Sequence, residues 1–74
     1  MQTQADKTFL KKLGLRIRAI RTEKQLSQLD VAVAMDNYAE QVGRIERGLL
    51  DVRICTLKKI AAALDVTLEE LLHF

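Results

Sequence analysis

The side chains with the most usable chemistry lie between Tyr38 and Arg47. At 3.6 residues per turn, Ala39, Glu40, Gly43, Arg44 and Arg47 face outward from a helix, with Gln41 at the flank. These groups suit hydrogen bonding to planar edges and oxyanions. Gln41 can bond an adenine edge, Arg44 can read guanine or hold a phosphate, and Ala39 can touch a thymine methyl. Arg47, at the helix end, suits a phosphate, and Gly43 removes bulk so that the backbone can come close. Glu40 is repelled by phosphates unless it accepts a hydrogen bond from cytosine N4; a solvent-facing Glu40 offset by Arg44 fits the residues equally well. Enzymatic chemistry finds little to carry it. The one histidine, His73, is next to last, the one cysteine, Cys55, is isolated, and no carboxylate pair sits in a plausible cleft. No Cys/His set could ligate zinc, so neither a metal nor a cofactor is expected.

The stretch before this helix must position it. Ser27 is a good N-cap for a two-turn helix from Gln28 to Met35, in which Gln28, Val31, Ala32 and Met35 share one side. Asp36 and Asn37 then reverse the chain, since both residue types tolerate turn conformations. The second helix runs from Tyr38 to Arg47, with Tyr38, Val42 and Ile45 on its inner face and Gly48 as a permissive C-cap. Two short helices joined by a tight turn make a helix-turn-helix, here over residues 27–47. Gln28 stands in the first turn of its helix, where its amide and the backbone N–H groups can approach a phosphate.

The rest of the chain reads as bracing. Residues 1–5 are expected to form a disordered tail ahead of a single domain over 6–74. Asp6 is expected to cap a helix over Lys7–Lys24 with Phe9, Leu10, Leu13, Ile17 and Ile20 buried; of its seven cations Arg21, at the margin of that stripe, stands apart, and the others read as a solvated face or, near the Gln25 end, as phosphate contacts. Gly14 costs this helix up to ~1 kcal/mol relative to alanine, so either it allows a close helix contact or, the blander reading and the one preferred, it is merely tolerated. A fourth helix over Ile54–Leu64 buries Ile54, Leu57, Ile60, Ala61 and Leu64, with Cys55 and Ala62 opposite. Asp65 ends it in the left-handed region. Thr67 caps a short last helix whose Leu68, Leu71 and Leu72 face inward. The fold class is therefore all-α, a compact bundle of five helices. Seventy-four residues allow one domain, and a core of Leu, Ile, Val and Ala suits a chain with 4% aromatics and no proline. The net charge of +2 permits nucleic-acid binding but is too small to argue for it, so placement decides. No apolar run approaches the ~20 residues that span a bilayer, and the polar start, Met1–Lys12, does not read as a signal peptide. A cytoplasmic protein without membrane contact is expected.

Several segments together carry a resemblance: Leu26-Ser27-Gln28, then Val31-Ala32, then Val42-Gly43-Arg44-Ile45-Glu46-Arg47-Gly48, then Leu57, Ile60-Ala61 and Ala63-Leu64. Over roughly residues 13–72 the chain resembles the Cro/CI-type (XRE family) helix-turn-helix regulators, which include phage repressors and restriction-modification controller proteins. The resemblance implies a bundle of the lambda-repressor-like type that binds double-stranded DNA and regulates transcription, with the helix over 38–47 in the major groove. It implies that Gln28 braces that helix and touches DNA, and that Arg21 and Glu46 form a partly buried ion pair. A homodimer is expected, because a two-fold dimer reads two half-sites ~34 Å apart; its face is placed near Cys55, Ala62, Leu72 and Phe74. The chain also departs from the family. Gln25 stands where glycine is usual, and Leu49, Leu50 and Asp51 replace basic residues, leaving Arg53 as the only cation of that loop. With outward Leu29 and Val33, Leu49 and Leu50 support an alternative, an antitoxin-like module that binds a partner protein and autoregulates.

Overall fold

The computed structural model describes residues 2–74, and among them the regular elements are five helices: α1 (Gln4–Glu23), α2 (Gln28–Ala34), α3 (Ala39–Glu46), α4 (Ile54–Ala63) and α5 (Leu68–Leu71). At 1.5 Å per residue the twenty residues of α1 run about 30 Å, the full 31 Å length of the molecule. It packs against α3 and α5, while α2 packs chiefly on α3 and α4 on α5 and α2. Leu10, Leu13, Ile17 and Ile20 form the buried stripe of α1. Phe9 does not join them, being half exposed one residue off that stripe, where its ring lies 5.4 Å from that of Phe74.

The start of α1 also differs from the expected one. Thr3, not Asp6, is the cap: the Thr3 Oγ1 accepts the Asp6 N–H at 3.1 Å while the Thr3 N–H donates to Asp6 Oδ2 at 3.1 Å. Gln4 and Ala5 are thereby helical instead of forming a tail, and Met1 lies outside the described residues. The same reciprocal box opens α2, through Ser27 and Asp30, and α5, through Thr67 and Glu70. Each box satisfies two backbone donors that a helix start otherwise leaves unpaired.

Helices α1 to α4 all end alike. A left-handed residue follows the C-cap, at Gln25 (φ 60°), Asp36 (φ 54°), Gly48 (φ 74°) and Asp65 (φ 56°). The next N–H then folds back onto the last turn: Leu26 to the Arg21 carbonyl, Asn37 to Ala32, Leu49 to Arg44 and Val66 to Ala61, at 2.8–3.0 Å. Glycine occupies only one of these four positions, and a β-carbon is strained in the other three. Gln25→Gly is expected to stabilise the fold by about 0.5–1 kcal/mol. In a domain of this size that raises the thermal midpoint by roughly 2–8 °C, read by circular dichroism. An unchanged or lower midpoint would show that Gln25 is not strained.

The core joins Leu13, Ile17 and Ile20 of α1 to Val31, Ala32 and Met35, to Val42 and Ile45 of α3, to Leu57, Ile60, Ala61 and Leu64, and to Leu71 of α5. Besides Phe9, three residues expected inside are not there. Tyr38 is the N-cap of α3 and 81% exposed, Ile54 opens α4 at 58%, and Leu72 closes α5 at 37%. In each case the helix begins or ends at that residue, so its side chain clears the edge of the packed layer. Leu50, expected outside, rests partly buried against the core. Arg16 is not simply part of a solvated face: its Nε and Nη2 donate to the Glu70 carbonyl at 3.2 and 2.9 Å, tying α1 to the end of α5. No helix of the described residues is long and apolar enough to cross a membrane.

Candidate nucleic-acid interface

Helix α3 is held from inside by Val42 and Ile45, which are 2% and 3% exposed. Its entry is set by the turn after α2, where Asn37 Oδ1 accepts the Tyr38 N–H at 2.7 Å. No side chain caps the start of α3, so its first N–H groups stay open. Outside, Glu40 and Arg44 are exposed and form an i,i+4 ion pair, Arg44 Nη2 to Glu40 Oε1 at 2.7 Å. Arg47 is exposed at the C-cap.

Two members of the expected outward set are placed differently. Ala39 leans against the core, because it opens the helix directly above α2 and is only partly exposed. Gly43 is buried beneath side chains: a β-carbon built there would lie 3.4 Å from both Gln28 Oε1 and Arg47 Nη1. Gly43 thus makes room for the Gln28 amide to lie across α3, instead of presenting bare backbone to a ligand.

Ser27 is exposed at the start of α2, where its Oγ accepts the Asp30 N–H at 2.9 Å. The Ser27 N–H donates in turn to Asp30 Oδ2 at 2.8 Å. Hydrogen bonding of the Asp30 carboxyl to Ser27, through the Ser27 backbone N–H foremost and its side chain second, holds that carboxyl below the usual carboxylate range. Gln41, half-buried on the other flank of α3, lines a groove of about 310 Å³ together with Ile45, Leu50, Asp51, Val52, Arg53 and Thr56. Arg53, the exposed N-cap of α4, therefore shares a groove with Gln41. Asp51 and Thr56 join them, and no periodicity in the sequence singles out either one.

Behind the interface lies a buried polar knot. Arg21 Nε donates to Glu46 Oε2 at 2.6 Å and Nη2 to Oε1 at 3.1 Å, a bidentate pair with side chains 11% and 3% exposed. Arg21 Nη1 donates to the Leu26 carbonyl at 2.8 Å, so one guanidinium links α1, the loop before α2, and α3. The hydrogen bond to Glu46 raises the pKa of Arg21 against the opposing effect of burial. A third donor reaches Glu46 from α2: Gln28 Nε2 lies 3.2 Å from Glu46 Oε1. Among the described residues no buried side-chain nitrogen or oxygen lacks a partner.

Comparison with known proteins places this arrangement. Residues 17–71 match the helix-turn-helix family, a span that takes in all of α2 to α5 and the end of α1. The restriction-modification controller protein C.AhdI from Aeromonas hydrophila is 38% identical, with a TM-score of 0.85 over 88% of this chain and 94% of its own. The clp gene regulator ClgR from C. glutamicum is 23% identical over 86% of this chain and 83% of its own, with a TM-score of 0.83, and shows the shared fold alone. No curated protein matches. The matched span, the five-helix fold and the exposed outer side of α3 agree, and the chain belongs to the helix-turn-helix family, as a DNA-binding transcriptional regulator of the Cro/CI (XRE) type.

Proposed function

We propose that the protein acts as a homodimer that reads a two-fold operator with α3 in the major groove and controls transcription by occupying that site. It works by binding alone, in the cytoplasm, without catalysis. The observation that carries this reading is the two-sided build of α3: Val42 and Ile45 fix it from within while Glu40, Arg44 and Arg47 stand exposed on the outer side. The likeness to a protein described as a restriction-modification controller supports a regulatory role.

Gln41 and Arg44 read base edges, and Arg47, Arg53, Ser27 and Gln28 hold phosphates. Glu40 pre-orders Arg44 through the 2.7 Å ion pair. Selectivity then depends on whether a guanine edge draws Arg44 away from Glu40. The partner-protein alternative is not favoured, and it loses Leu50 to the core.

The test is a salt titration of binding to duplexes from upstream of the protein's own gene and to random duplex, with wild type and the Gln41→Ala/Arg44→Ala variant. One bidentate base contact is worth about 1–3 kcal/mol, so the variant is expected to lose at least about tenfold in affinity for the preferred duplex. Its weak, salt-dependent binding to random DNA should change far less. Folded wild type that prefers no duplex at low salt would overturn the proposal.

A further inference from the structure

The bond between Gln28 and Glu46 gives the buried ion pair a second task. Glu46 is a carboxylate, which in its ionised form only accepts hydrogen bonds, whereas a glutamine amide has a donating and an accepting end. Only the nitrogen of Gln28 can therefore face Glu46 Oε1, as it does at 3.2 Å. Arg21 keeps the carboxylate in place with two bonds of its own. The amide then lies over Gly43, where its oxygen and Arg47 Nη1 flank the same point at 3.4 Å.

Resting on the DNA-binding reading above, we propose that Glu46 is a positioning residue of the interface: it fixes which way the Gln28 amide points, so that the second amide hydrogen is presented to the DNA backbone. The chain of contacts runs from Arg21 through Glu46 to Gln28. An amide that could flip would meet a phosphate with its oxygen half of the time, and two acceptors repel. Locking the amide removes that wrong orientation before DNA arrives. Gly43 completes the device, since a long side chain there would push the amide off α3.

Two measurements test this. The first needs no DNA: in ¹⁵N-edited NMR spectra of the wild type, one Gln28 side-chain amide hydrogen should be shifted downfield and exchange slowly, and Glu46→Gln should return the pair toward solvent-like values. Solvent-like values already in the wild type would overturn the proposal. The second is a double-mutant cycle in DNA affinity, run where thermal melts show every variant folded. Because hydrogen bonds to a charged group are the strong ones, Glu46→Gln is expected to weaken binding about tenfold in the wild-type background, against less than about twofold in a Gln28→Met background. Equal losses in both backgrounds would overturn the positioning role and leave Glu46 as a purely structural residue. The two readings fail separately: wild type that prefers no duplex overturns the DNA reading and this inference together, while selective binding with equal losses overturns the inference alone.

Discussion

Glu46→Ala is expected to lower the free energy of unfolding by about 3 kcal/mol, because it strands a buried guanidinium. That figure is at the lower end of the range for breaking a buried ion pair. Arg21 retains its bond to the Leu26 carbonyl and is 11% exposed, so part of its charge stays satisfied. For 74 residues the whole stability is about 4–11 kcal/mol, so the loss is a large fraction of it. The thermal midpoint should fall by roughly 12–24 °C. Arg21→Ala should cost a comparable amount, since it leaves Glu46, at 3% side-chain exposure, with only Gln28 as a side-chain donor. The double variant Arg21→Met/Glu46→Met should recover much of either loss, because an apolar pair of similar volume strands no charge. Urea unfolding of the four proteins decides it. A Glu46→Ala loss below about 1 kcal/mol would mean that water reaches Arg21 and that the pair is only a surface contact.

How much of this was legible in the sequence depends on the range of the interactions involved. The helix-turn-helix was readable because its signals are local: Ser27 before an apolar stripe, Asp36 at a turn, Gly48 after the last periodic residue. The inner faces of α2 and α3 followed from a period of 3.6, apart from Tyr38. Periodicity misplaced Tyr38, Ile54 and Leu72 because it knows the face of a helix and not where the helix ends. It likewise placed Gly43 outside, since nothing in the order of residues shows that a side chain from α2 will lie across it. The contact of Gln28 with Glu46 spans 18 residues and that of Arg16 with the Glu70 carbonyl spans 54, and no spacing rule reaches so far. Arg21 and Glu46 were paired by family resemblance, not by pattern. The candidate site was thus legible as a set of side chains on one helix, while what orients them was not.

The two helical glycines separate these levels most sharply, since they should respond to the same substitution with opposite signs. Reading α1 alone, Gly14→Ala gains up to about 1 kcal/mol of helix propensity. In the folded protein a β-carbon there would run into the carbonyl of Glu46 and come within 2.6 Å of that of Ile45. Both obstacles are backbone at the end of α3, so no side-chain rotation relieves them; α1 and α3 must part. Overpacking costs about 1–3 kcal/mol and occasionally more, and with rigid obstacles the upper end applies, leaving a net loss of about 2 kcal/mol. The displacement would also pull at Glu46, which hangs from that last turn and holds Arg21. Gly43→Ala meets only ordinary contacts, the closest at 3.4 Å and all to side-chain ends, so it should be neutral or gain up to about 1 kcal/mol. Urea unfolding of both variants reads the difference. If Gly14→Ala proved as stable as Gly43→Ala, the close approach of α1 to α3 would not exist in solution. If it is destabilised as expected, Gly14 sets the distance at which Arg21 can reach Glu46, and the interface is built on a glycine that the helix pattern treats as a flaw.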